Sequence, residues 1–158
     1  MEFERTVHAL CDAKVEFVVI GGVAAFLAGS DKLTFDLDIC YARNALNFGR
    51  LVRALAPFHS RPRGFPDNLP FTRDEATLRN GSLFTLQTDL GEIDLLGEVA
   101  GLGAYDEVKA GSVSLEAFGR RVQTLDLRSL IKSKRAAGRP RDLQSIPELE
   151  SLLEAEEP

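Results

Sequence analysis

The stretch from Val18 to Tyr41 constrains the fold more than any other part of the chain. An apolar run, Val18-Val19-Ile20, ends in Gly21-Gly22. Small residues follow from Val23 to Ala28, Gly29-Ser30-Asp31 breaks them, and a second apolar stretch from Thr34 to Tyr41 carries Asp36 and Asp38. This pattern predicts a buried strand, a tightly packed helix over Val23 to Ala28 and a second strand. A strand that ends in glycines and opens into a helix lets backbone approach a phosphate and aims helix-terminal N–H groups at it. A tight strand-to-helix turn without a ligand has the same sequence. In the second strand Asp36 and Asp38 alternate with Phe35, Leu37 and Ile39, so both carboxylates leave one face. Spaced about 7 Å apart by the strand rise, they suit the joint holding of hard cations; read alone, they equally suit a solvated strand face.

A chain of 158 residues fits one domain, 1–158, with room for a real core. Its 44% hydrophobic and 27% charged residues are those of an ordinary globular protein. The formal net charge of -5 argues against a chain that grips nucleic acid over its whole surface by charge, and leaves a local basic patch open. Neither a signal-like N-terminus nor a membrane-length apolar run is evident, so the expectation is a cytoplasmic protein without a membrane partner. Cys11 and Cys40 lack metal-ligand spacing and read as buried free thiols. With only His8 and His59, a histidine-rich zinc site is not expected.

Around this centre the spacing predicts a helix over residues 3 to 13 and a strand from Val15 to Ile20. Asn44 caps a helix through Ala56 that turns Leu46, Leu51, Val52 and Leu55 inward, and Pro57 stops it. The Pro-, Gly- and Arg-rich run from His59 to Pro70 reads as an irregular surface loop, and a short helix spans Asp74 to Arg79. Ser82 to Thr88 and Glu92 to Leu96, joined at Asp89-Leu90-Gly91, predict a hairpin in which Asp94 projects opposite Ile93 and Leu95. A short helix over Ala104 to Lys109 precedes a second hairpin at a sheet edge, Val113 to Leu115 and Arg121 to Leu125. Asp126 caps a helix from Leu127 to Ala137, Gly138 to Asp142 break it, and a last helix points Leu143, Ile146, Leu149 and Leu152 inward before a frayed acidic tail, Glu154 to Pro158. The fold class is α/β (α+β): a mixed β-sheet with flanking helices and a C-terminal helical tail, about 126–153, packed on it.

Taken in order, Gly21-Gly22 after a strand, Asp36-Leu37-Asp38 in the next and Asp94 in a later one resemble the nucleotidyltransferase superfamily with its DNA polymerase β-like fold. The segments Lys32 to Asp38 and Lys134 to Leu143 are similar to small nucleotidyltransferases related to the toxins of abortive-infection toxin–antitoxin pairs. The resemblance implies a Mg2+-dependent enzyme that moves an NMP from an NTP to a hydroxyl acceptor and releases pyrophosphate. It implies Asp36, Asp38 and Asp94 as ligands of a two-metal site, with Asp94 also helping to deprotonate the acceptor. Gly21 and Gly22 would hold the phosphates, while Lys134 and Arg139 would neutralise charge on the departing pyrophosphate. Asp142 would orient Lys134 or touch the nucleotide, and Lys32 and Thr34 would support the strand or the phosphates. The acceptor stays open among an RNA end such as that of tRNA, a protein side chain and a small molecule, and an antitoxin would be the expected partner.

Two positions depart from the family pattern: Lys32 stands where relatives usually carry arginine, and Ser145 where they often carry a further aspartate. Plainer readings exist for several residues. Asp94 suits the polar side of a half-buried strand, Lys132, Lys134 and Arg135 a solvated helix face, and Asp142 an N-cap. Arg61, Arg63, Arg73 and Arg79 suit an acceptor groove but better suit a solvated surface. A P-loop is absent from the sequence. The alternative function is a catalytically inactive module of this fold that binds nucleotide or a partner protein.

Overall fold

A computed structural model describes residues 1–64 and 75–156. Along the chain the elements are α1 (Phe3–Asp12), β1 (Phe17–Ile20), α2 (Gly21–Leu27), β2 (Asp36–Tyr41), α3 (Ala45–Leu55), β3 (Arg61–Pro62), α4 (Glu75–Arg79), β4 (Leu83–Thr88), β5 (Gly91–Leu96), β6 (Glu98–Val99), β7 (Gly103–Ala104), α5 (Tyr105–Ala110), β8 (Ser112–Ala117), β9 (Arg120–Leu125), α6 (Leu127–Ala137) and α7 (Pro140–Glu156). Seven strands form one mixed sheet in the order β3-β4-β5-β2-β1-β9-β8, and β6 and β7 form a separate two-stranded ladder. β1 runs antiparallel to β2 and parallel to β9, and β2 runs parallel to β5. Both predicted hairpins are present, β4–β5 across the sheet's interior and β8–β9 at its edge.

Alternation divides the sheet into two faces. Leu37, Ile39, Ile93 and Leu95 are fully or almost fully buried, and Leu95 meets Leu51, Leu55 and Leu78 from α3 and α4. Asp36, Asp38 and Asp94 leave the opposite face, which α2 and α6 approach. Two predicted caps are in place: Asn44 Oδ1 accepts from Asn47 N at 2.9 Å, and Asp126 Oδ1 accepts from Ser129 N at 2.8 Å.

The departures from expectation have local causes. Gly21 and Gly22 are the first turn of α2 rather than a loop before it. Leu46 faces solvent at 64% exposure, because Asn47 takes the inward position. Fully buried, Asn47 accepts from Glu16 N at 2.7 Å and donates to Glu16 O and Ala42 O at 3.1 and 2.8 Å. Its amide thereby gives Glu16 N and Ala42 O their partners and adds a second donor to Glu16 O, which also accepts from Ala42 N at 3.2 Å. The α-helix α3 does stop before Pro57, at Leu55, and Pro57 itself sits in a 3-10 turn, Ala56–Phe58. The run read as a loop from His59 contributes β3 to the sheet edge, while its portion at 65–70, the Arg73 position and the Asp74 helix start lie outside the described residues.

At the C-terminal end the break is only Gly138-Arg139. Gly138 adopts φ +67° and donates its N–H to Lys134 O, a helix-ending conformation that glycine adopts at little cost. Pro140 then opens α7, which runs through Glu156 instead of fraying from Glu154. Leu143 is exposed and Asp142 is buried, the reverse of the apolar spacing. Cys40 is buried and Cys11 only partly so. No helix among the described residues is long and apolar enough to cross a membrane.

Candidate active site

The parallel pairing of β2 with β5 sets Asp38 directly opposite Asp94 and Asp36 opposite Glu92. Four carboxylates therefore share one patch of the open sheet face. Burial and the charges of Asp94 and Asp36 push the Asp38 carboxyl up to about 7. Glu92 is also raised, chiefly by a hydrogen bond shared with Asp36. Asp38 Oδ1 is buried and has no hydrogen-bond partner among the described residues, a costly state for a carboxylate oxygen.

Gly21 closes over this pair. Its φ is +65°, and a Cβ there would collide with Asp38 Oδ2. Gly22 fits equally closely, since its Cβ would stand 2.6 Å from Thr34 Oγ1. No side chain caps the start of α2, so its first N–H groups have no intrahelical or side-chain acceptor. Thr34 Oγ1 donates to Asp36 O at 3.3 Å, bracing the entry to β2.

Facing the acids is a basic wall built from α6, α7 and the loop before β2. Asp142 anchors it: the carboxylate accepts from Arg139 Nε at 2.6 Å and Nη2 at 3.3 Å, reaches back to Arg139 N at 3.3 Å, and lies 3.8 Å from Lys134 Nζ. The Arg139 hydrogen bond holds the Asp142 carboxyl below its ordinary range despite burial. Lys134 is lowered by burial and by the nearby Arg139, Lys32 and Arg141 cations, with Asp142 opposing. Lys32 Nζ stands 3.5 Å from Glu148, whose carboxylate also accepts from Ser30 Oγ at 2.8 Å. Ser145 Oγ donates to Asp142 O at 2.7 Å, which ties this hydroxyl to the backbone of α7.

Acidic and basic walls line one cleft of about 500 Å³, within the usual size of small-molecule sites. Gly21, Gly22, Lys32, Thr34, Asp36, Asp38, Asp94, Lys134, Arg139 and Asp142 all border it, so the ten residues to which the resemblance gives nucleotide, metal or catalytic roles meet at one place. Arg141, from the Lys134 to Leu143 segment, also borders it, as do Ser30, Gln144 and Glu148, which no local motif marked. Arg63, read as surface, instead donates from Nη2 to Asp94 Oδ1 at 2.8 Å, with Nε 3.5 Å from Glu92.

The donor set suits a hard cation in a particular way. Among the described residues, no three carboxylate, histidine or cysteine side chains are gathered closely enough to enclose a metal ion. Mg2+, however, commonly takes one or two carboxylates from a protein and the rest of its shell from water and phosphate. Asp38 and Asp94 fit that role, and the unpartnered Asp38 Oδ1 offers the acceptor it needs.

No protein-family model matches the chain, and neither does any curated protein at the significance required. Among solved structures it is similar to a crystal structure from Thermotoga maritima, provisionally described as a nucleotidyltransferase, with a TM-score of 0.54 and 17% sequence identity over 97% of this chain and 91% of that one. The mixed seven-stranded sheet with its flanking helices is thus a nucleotidyltransferase fold.

Proposed function

We propose that the protein is a metal-assisted nucleotidyltransferase of the superfamily its motifs resemble, moving an NMP from an NTP to a hydroxyl acceptor. The observation that carries this reading is the opposition, across one cleft, of the Asp38–Asp94 pair and the Lys134–Arg139–Asp142 cluster. A triphosphate is the ligand class that satisfies both walls, since it joins cation-binding oxygens to a run of negative charge.

In this account the start of α2 and Lys134 hold the β- and γ-phosphates, and Arg139, fixed by Asp142, adds charge where pyrophosphate develops. Asp38 and Asp94 hold Mg2+, which when bound supplies charge neutralisation at the reacting phosphate. The acceptor oxygen forms a bond to the α-phosphorus, the α–β bridging P–O bond breaks, and pyrophosphate leaves with that electron pair. Asp94 takes the acceptor proton on its carboxylate. The acceptor is an RNA end, a protein side chain or a small molecule, and the resemblance to toxins makes an antitoxin the partner to seek.

A binding-module reading draws support from one observation, the guanidinium of Arg63 on Asp94. Pyrophosphate release from each NTP with Mg2+ and cell-derived acceptors separates the two. Release by the wild type that disappears in Asp38→Asn supports the enzyme; nucleotide binding without release by either protein supports the module.

A further inference from the structure

Strand pairing lays a polar row across four strands. Arg63 N donates to Thr85 O at 2.9 Å, Thr85 lies opposite Asp94, and Asp94 lies opposite Asp38. The backbone of Arg63 is therefore fixed to the β4 edge, and its side chain reaches over β4 to the carboxylates of β5. The contact it makes there is uneven. Nη2 donates to Asp94 Oδ1 at 2.8 Å, but Nε stands 3.5 Å from Glu92 Oε1 and, though buried, makes no hydrogen bond among the described residues. Arg139 offers a comparison within the same cleft, since both its Nε and its Nη2 donate to Asp142. One guanidinium forms a two-pronged fork suited to permanent structure; the other is held mainly through one prong, Nη2 on Asp94.

We propose that Arg63 is a resident competitor of the divalent cation: its guanidinium occupies Asp94 in the metal-free protein and swings away when the cation takes the carboxylate pair. The inference rests on the reading of Asp38 and Asp94 as cation ligands. Its physical basis is that a monovalent, delocalised cation and a compact divalent one seek the same carboxylate oxygens, so the hydrogen bond lost from Asp94 is subtracted from the free energy of metal binding. When no cation is bound, the same guanidinium offsets repulsion among Asp36, Asp38, Glu92 and Asp94.

The test is calorimetric titration of Mn2+, without nucleotide, into the wild type, Arg63→Gln and Arg63→Lys, with melting temperatures recorded in chelator and in Mn2+. Arg63→Gln binds Mn2+ about tenfold more tightly than the wild type, equivalent to about 1.4 kcal/mol. It also melts lower in chelator and gains more from Mn2+. Arg63→Lys keeps the charge on a less suitable group and falls between the two, which decides the matter should Arg63→Gln fail to fold. Equal or weaker Mn2+ binding by the variants, with binding by the wild type intact, overturns the competitor role and leaves the transferase reading standing. Absence of Mn2+ binding by wild type and variants alike also overturns the competitor role, while the transferase reading is tested separately by nucleotide-dependent metal binding.

Discussion

Asp38 and Asp94 face each other across neighbouring parallel strands, and Asp38 keeps one carboxylate oxygen buried and unpartnered among the described residues. Such a pair is unstable as two anions and stable as one anion and one acid, or as two anions around a cation. The balance between those states underlies the predictions below.

Replacing Asp38 by asparagine relieves repulsion while removing the proposed cation ligand. Nucleotidyl transfer falls by at least about 100-fold, the scale of losing a main electrostatic group in a site. The metal-free melting temperature stays unchanged or rises. A marked loss of stability with transfer retained would identify Asp38 as structural instead.

The pH dependence follows from the raised carboxyl. Asp38 titrates near 3.8 in the unfolded chain and at about 7 in the folded one. The folded state therefore binds the extra proton between these values, and stability declines as pH rises through that window. In chelator, denaturant midpoints fall between about pH 4 and 7, and Asp38→Asn flattens the fall. Metal binding must expel the same proton, so the affinity for Mn2+ rises about tenfold per pH unit up to about 7 and levels off above it.

Gly21 is intolerant for two reasons, its left-handed backbone and the approach of Asp38. Gly21→Ala costs about 1–2 kcal/mol from the backbone alone and also displaces Asp38, so unfolding and Mn2+ titrations both move. A substitution that lowered stability without touching Mn2+ affinity would separate the glycine from the site.

Much of this site was legible because its parts are local. Gly21-Gly22, the Asp36/Asp38 alternation and the Asn44 and Asp126 caps are patterns within a few residues, and Asp94 follows from its neighbours Ile93 and Leu95. Arg63 reads as surface and Glu92 as an ordinary strand residue because their roles depend on strand order: only the order β3-β4-β5-β2 brings Arg63 to Asp94 and Glu92 beside Asp36. Glu148 and Ser30 meet across 118 positions for the same reason. Leu46 and Leu143 misled in a different way. Apolar spacing assigned them inward, yet the inward places belong to Asn47 and Asp142, whose hydrogen bonds are satisfied inside the protein.

Asn47 provides a control remote in chemistry from the cleft. Asn47→Ala removes the side-chain partner of Glu16 N and of the buried Ala42 O, while Glu16 O keeps its bond from Ala42 N, and lowers stability by about 1–3 kcal/mol. Because Asn47 does not line the cleft, Mn2+ affinity of the folded fraction remains that of the wild type.

In the proposed enzyme one cleft binds a triphosphate and a divalent cation together. The most direct measurement is calorimetric titration of each NTP, with and without Mg2+, into the wild type and the Asp36→Ala/Asp38→Ala double variant. The account predicts Mg2+-dependent binding of a triphosphate by the wild type and none by the variant. Triphosphate binding of equal strength in both proteins, indifferent to Mg2+, would contradict it.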